Sequence, residues 1–147
     1  MKTIICVNGR SNIGKTSTIL EVVNKLTSNS PINLIDKDNR DILVSIDISS
    51  TIRVGISSQG DPGSHQKEWL LRLVSEFRCE IIVCAARSYG DTVDFVKKIA
   101  EQNGYQVIWF TPCHTYNDNA NELHRTLNMA SASMVIDLIY KSIPTID

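Results

Sequence analysis

One stretch has the residue types and spacing to do chemistry: Gly9-Arg10-Ser11-Asn12-Ile13-Gly14-Lys15-Thr16 matches G-x-x-x-x-G-K-[ST] in full. Each part of the pattern has a physical task. The glycines let the backbone curl so that successive N–H groups converge on phosphate oxygens. A helix starting at Lys15 adds roughly half a positive charge at the same point. Lys15 supplies a compact cation for the β- and γ-phosphates, and Thr16 a hydroxyl for a bridging magnesium ion. Gly9, Arg10, Ser11, Asn12, Ile13, Gly14, Lys15, Thr16 and Ser17 are therefore the residues expected to touch a nucleoside triphosphate.

Preceded by an apolar β-branched run and followed by helical spacing, this stretch resembles the P-loop NTPase superfamily. The resemblance covers the whole length, 1–147, as one small nucleotide-binding domain, and identifies the superfamily rather than the reaction. It implies a second magnesium anchor, an aspartate closing a neighbouring strand. Three compete. Asp61 lies in Ser57-Ser58-Gln59-Gly60-Asp61-Pro62-Gly63, which looks like the DxxG switch of small GTPases at Gly60, with Ser57 where the Asp belongs. Asp61 is favoured, substituting from beyond; as an alternative or additional role it caps a helix ahead of Pro62. Asp36 closes Asn33-Leu34-Ile35 and ranks second. Asp47 sits in an alternating run that turns it to solvent.

Asp36 has a further reading. Leu34-Ile35-Asp36-Lys37-Asp38-Asn39 is similar to the deviant-Walker partition and septum-positioning ATPases, whose aspartate orients the attacking water. Arg10 stands where their signature lysine does. The arginine, the missing paired glycines and a hairpin directly afterwards depart from that pattern, so Asp36–Asp41 reads better as a solvated charged loop. Arg87 follows an apolar strand and is placed to neutralise a transferring phosphoryl group, or to pair with Asp91. Gln59 can orient a water, since an amide both donates and accepts. His65, His114 and His124 lack ligand spacing and read as surface or cap residues. The guanine-reading NKxD of small GTPases is absent after the last strand, where Thr111-Pro112-Cys113-His114-Thr115 stands; this leans towards ATP over GTP.

The elements that must position these groups alternate. Strands are expected at Thr3–Val7, Ile32–Ile35, Ile42–Ile48, Ile52–Ser57, Ile81–Ala86 and Tyr105–Phe110. The six apolar residues of Ile81–Ala86 suit a strand covered on both faces. Helices are expected at Lys15–Leu26, from beyond Ser64 to Phe77, from an Asp91 cap to Asn103-Gly104, and from near Asn119 with Glu122 as a capping-box variant. Their apolar stripes are Ile19/Val22/Val23/Leu26, Trp69/Leu70/Leu73/Val74/Phe77, Val93/Val96/Ile99/Ala100 and Leu123/Leu127/Ala130/Met134/Leu138. Trp109 and Phe110 read as core or helix contacts. This order implies an α/β three-layer sandwich with a mainly parallel P-loop-type sheet. A hairpin turning at Ser49-Ser50-Thr51 adds one antiparallel edge strand.

Composition sets the outer limits. Fifteen Lys and Arg against sixteen Asp and Glu give a net charge of −1, which gives no sign of nucleic-acid binding by a broad basic surface. Hydrophobic residues at 42% argue against a disordered polyelectrolyte, and seven Gly with four Pro against low complexity. No apolar run approaches the ~18 residues of a membrane span, and the N-terminal one is too short for a signal peptide. Cys6, Cys79, Cys84 and Cys113 form no CxxC pair and read as free thiols of a cytoplasmic protein.

The expected function is Mg²⁺-dependent ATP (or GTP) binding with cleavage of the β–γ phosphate bond. Lys15, Asp61, Arg87 and Gln59 would be the catalytic groups, and Thr16 with Asp61 or Asp36 the metal ligands. A P-loop kinase is the first alternative, although Asn103–Asn119, where such enzymes resemble one another in an Arg-rich lid, holds no Arg or Lys. A nucleotide-gated switch with little turnover is the second. A protein partner or homodimer stays open.

Overall fold

The computed structural model describes residues 2–116 and 119–144. In chain order the elements are β1 (Lys2–Asn8), α1 (Lys15–Thr27), β2 (Ile32–Asp38), β3 (Asp41–Asp47), β4 (Arg53–Ser57), α2 (Gln66–Leu71), β5 (Ile81–Ala86), α3 (Asp91–Asn103), β6 (Tyr105–Phe110) and α4 (Asn121–Lys141). Helix α2 runs on through one π-helical turn, Arg72–Glu76. The strands form one mixed sheet in the order β2-β3-β4-β5-β1-β6. Strand β1 is parallel to β5 and β6, and β4 to β5, whereas β2–β3 and β3–β4 are antiparallel. The protein is thus α/β, with a mostly parallel six-stranded sheet and four helices.

Strand alternation sorts the core. Ile5 and Val7 of β1 cluster with Ile19 and Val22 of α1 and Val135 and Ile139 of α4. Ile4 and Cys6, pointing the opposite way, cluster with Trp69 and Leu70 of α2 and Val96 and Ile99 of α3. All six residues of β5 are buried, as its unbroken apolar run requires. Each fully buried branched side chain contributes about 1.5–3 kcal/mol.

Four local expectations are corrected. First, the antiparallel strand is not at the edge. Asp36–Asp38, read as part of a loop, extend β2, and Asn39-Arg40 make a tight turn with Asn39 at φ +56° and Asp38 opposite Asp41. The edge strand β2 therefore runs in the same direction as the parallel strands, with β3 between. Second, α4 begins at Asn121, so the N-cap position falls on Ala120, which offers no side-chain cap, and not on Asn119. Its buried face is Ser131, Ala132, Val135 and Ile139, while Leu123, Ala130 and Met134 are exposed. The small Ser131 and Ala132 let α4 lie close, and larger apolar residues turn outward. Third, Gly90 at φ +92° takes the α3 cap position, leaving Asp91 as the first helical residue. Fourth, Asp61 does not cap α2, which starts at Gln66 behind His65. Its backbone carbonyl instead accepts from the N–H and hydroxyl of Ser64.

Candidate functional site

The turn between β1 and α1 is tied to the end of β5. The Gly9 N–H donates to the Ala86 carbonyl at 3.1 Å. The chain then passes through left-handed backbone at Asn12 (φ +64°) and Gly14 (φ +89°) before α1 begins. Glycine suits position 14 for its φ; a Cβ there would also lie 2.6 Å from Asn128 Oδ1, the tip of a side chain that would have to move. The first-turn N–H groups of α1 have no intrahelical acceptor and form a ready anion site.

Lys15 is only 8% exposed. Its ammonium donates to the Gly9 carbonyl at 2.7 Å and the Ala86 carbonyl at 3.3 Å. Burial holds its pKa below the usual lysine value; the Asp61 carboxylate opposes that shift and Arg87 adds to it. The cation is held on neutral dipoles, a weaker arrangement than an anionic partner would give.

Beside this turn lies a cavity of about 380 Å³. Ser11–Ser17 form one wall, Ser58–Asp61 with Arg40 and Asp41 a second, and Cys113–Thr115 with His124, Leu127 and Asn128 a third. Gly9 and Arg10 stand outside the lining; the Arg10 guanidinium packs over the Tyr116 ring, 4.2 Å from its centre. Asn117 and Asp118 of the candidate lid segment lie outside the described residues.

Topology explains how Asp61 reaches the cavity. Strand β4, which precedes it, is not next to β1, because β5 intervenes. The chain leaving β4 must cross the end of β5, and it does so at Gly60. A Cβ on Gly60 would sit 2.6 Å from the Ala85 Cβ and 2.7 Å from the Ala85 carbonyl carbon. That contact leaves room only for glycine. Ser57, unlike Ser58, stands outside the cavity lining. Gly55 faces Leu73 and Cys79, so alternation sends Ser57 to the α2 side, where its hydroxyl is buried without a partner among the described residues. Ser58 lines the cavity instead.

The other expected groups divide. Thr16 and Ser17 line the cavity. Asp36 does not; it accepts from the Lys37 N–H and lies 3.7 Å from Arg72. Asp47 closes the antiparallel β3, at the opposite edge of the sheet, and pairs with Arg53 at 2.8 Å. Arg87 lies outside the lining, its Nε donating to Asp61 Oδ1 at 2.9 Å. Gln59 lines the cavity, but its amide is engaged at both ends, donating to Asp38 at 3.1 Å and accepting from the His65 N–H at 2.6 Å.

Arg40, Asp41, His114, His124 and Asn128 line the cavity without having been singled out for it. Only Arg40 and Asp41 carried a usable signal. A strand reaching Asp38 puts their turn at the carboxyl edge, the ligand side of such sheets. Among the described residues no cluster of three or more His, Cys, Asp or Glu could hold a metal alone. Thr16, Asp41 and Asp61 do offer hard oxygen donors around one cavity, which fits a magnesium ion completing its shell with phosphate and water. Cys6, Cys79 and Cys84 are buried and Cys113 exposed, all free. No described helix is long and apolar enough to cross a membrane. In comparisons with family models, curated proteins and solved structures, the chain matches none.

Proposed function

We propose that this protein binds a Mg²⁺–nucleoside triphosphate, with ATP favoured over GTP, and cleaves its β–γ phosphate bond. The fold is read as a three-layer P-loop-type sandwich, with α1 and α4 on one face of the sheet and α2 and α3 on the other. The observation carrying the reading is Lys15. A buried ammonium rests on two backbone carbonyls beside a 380 Å³ cavity, at the start of a helix entered through left-handed glycine. Such a group exchanges carbonyl dipoles for phosphate oxygens with a gain in charge–charge attraction. Thr16 would hold the magnesium with Asp61 or Asp41, and the ion would neutralise charge on the bridging oxygens. Positioning and electrostatics supply most of the acceleration in such a reaction.

One observation favours slower chemistry. Gln59 is engaged at both ends and Asp61 is paired with Arg87, so orienting a water requires these contacts to rearrange. That is the behaviour of a nucleotide-gated switch.

Lys15→Ala is the test. It should abolish or greatly weaken nucleotide binding with the fold intact, and unchanged ATP and GTP affinities overturn the assignment. Phosphate release in water marks a hydrolase, label transferred to an added acceptor a kinase, and binding without turnover a switch. Asp61→Asn should weaken Mg²⁺-dependent binding more than Asp36→Asn.

A further inference from the structure

The turn joining β2 to β3 adds a second cation to the cavity. Because β2 runs parallel to β4, its carboxyl end and the Asn39-Arg40 turn lie at the same sheet edge as the loop that holds Lys15. The turn is braced there. Asp41 accepts from the Ser58 hydroxyl at 2.7 Å, and that hydroxyl accepts from the Ile42 N–H at 2.9 Å. Its tip is thus fixed to the exit of β4, the segment that also delivers Gln59, Gly60 and Asp61.

Arg40 lines the cavity, and its Nη2 donates to the Ser17 hydroxyl, at 3.2 Å, in the first turn of α1. The arginines at 53, 72 and 87 each meet a carboxylate within 4.0 Å. Arg40, like Arg10, Arg78 and Arg125, meets none among the described residues. It is also the only arginine among the described residues lining the cavity. Arg40 is exposed and hydrated, so its guanidinium can exchange water and the Ser17 hydroxyl for a phosphate oxygen without first breaking an ion pair, beside helix N–H groups and the Lys15 ammonium.

We propose that Arg40 is a polyphosphate-binding residue, its guanidinium exchanging the Ser17 hydroxyl for a phosphate oxygen when the ligand enters. This rests on the nucleotide reading above and adds a residue to it. The guanidinium fork suits phosphate bidentately, and Asp41, held by Ser58, keeps the turn in place during the exchange. Arg40 then closes over the phosphates from the β2–β3 side, a task that sequence reasoning gave to Arg87.

The probes are inorganic tripolyphosphate and Mg²⁺–ATP, titrated calorimetrically into the whole chain. Arg40→Ala should weaken both by about tenfold or more, flatten the salt dependence of binding, and leave the unfolding midpoint in place. Arg40→Lys should recover part of the loss. Equal affinities in wild type and Arg40→Ala, with Lys15→Ala losing binding, overturn the Arg40 assignment and leave the nucleotide reading standing. A wild-type protein that binds neither probe overturns both.

Discussion

Replacing Gly60 by alanine tests whether Asp61 reaches the cavity by crossing β5. The new Cβ would meet the Ala85 Cβ at 2.6 Å, the Ala85 carbonyl carbon at 2.7 Å and the Ala86 nitrogen at 2.9 Å. Carbon atoms prefer about 3.5–4.0 Å, so the loop must rise by roughly 1 Å. Two of the three obstructing atoms belong to the β5 backbone, which cannot swing aside as a side-chain tip can. Overpacking of this kind costs about 1–3 kcal/mol, which in a chain of this size lowers the melting temperature by roughly 3–10 °C. The same rise displaces Asp61 in the cavity wall, and a misplacement near 1 Å can cost about a hundredfold in turnover. Urea unfolding and Mg²⁺–ATP titration read the two effects separately. Gly63→Ala is the control: at φ +75° with nothing within 4 Å of its Cβ, it should lose about 1 kcal/mol and no nucleotide affinity. Should Gly60→Ala match wild type in stability, Mg²⁺–ATP affinity and turnover, the crossing does not position Asp61.

Gln59→Ala removes the contacts to Asp38 and the His65 N–H, and should cost about 1–3 kcal/mol in denaturant unfolding; lost turnover at full stability would show instead a water-orienting role. Alkaline stability follows from the thiols: burial pushes Cys79 from 9.0 up to about 12, so its contribution is complete below pH 9 and drains as pH rises towards 12. The wild-type unfolding free energy should fall there by up to about 1.4 kcal/mol per pH unit per such group, and Cys79→Ala should flatten the slope. Lys15 has the opposite sign, its lowered pKa giving a contribution that rises towards pH 10.5, so Lys15→Met should steepen the alkaline loss. Cys113, exposed at the cavity, should be the one thiol alkylated in the native protein and should be shielded by Mg²⁺–ATP; equal rates with and without nucleotide contradict its place in the wall.

Periodicity located the elements well where one face is buried. Ile19, Val22, Val23 and Leu26 are the buried stripe of α1, and the unbroken run Ile81–Ala86 lies inside the sheet. It misled in α4, where Leu123, Ala130 and Met134 repeat at helical spacing yet are exposed. That helix also buries Ser131 and Ala132, which a hydrophobicity count passes over although small size is what close packing selects. Charge misled in the same way at β2. Asp36, Lys37 and Asp38 look like a loop, but an edge strand has one side free for charged residues, which also blunt it against unwanted pairing.

The loop that holds Lys15 was legible because its pattern is local: eight consecutive residues, Gly9 to Thr16, carry all of it. The rest of the site is assembled from places far apart in the chain, and only strand order decides which of them meet. Asp36, Asp47 and Asp61 are equivalent as aspartates near strand ends. The sheet separates them: Asp47 closes an antiparallel strand and so falls on the wrong edge, Asp36 is drawn to Arg72, and Asp61 arrives by crossing β5 at Gly60. The reversal that removes Asp47 is also what admits Arg40. A hairpin of β3 and β4 alone would put only the Ser49–Thr51 turn on view, at the far edge. Adding β2 as a third strand brings a second turn to the carboxyl edge, with a guanidinium at its tip. Extending β2 by Asp36–Asp38 thus turns a solvated loop into a wall of the cavity.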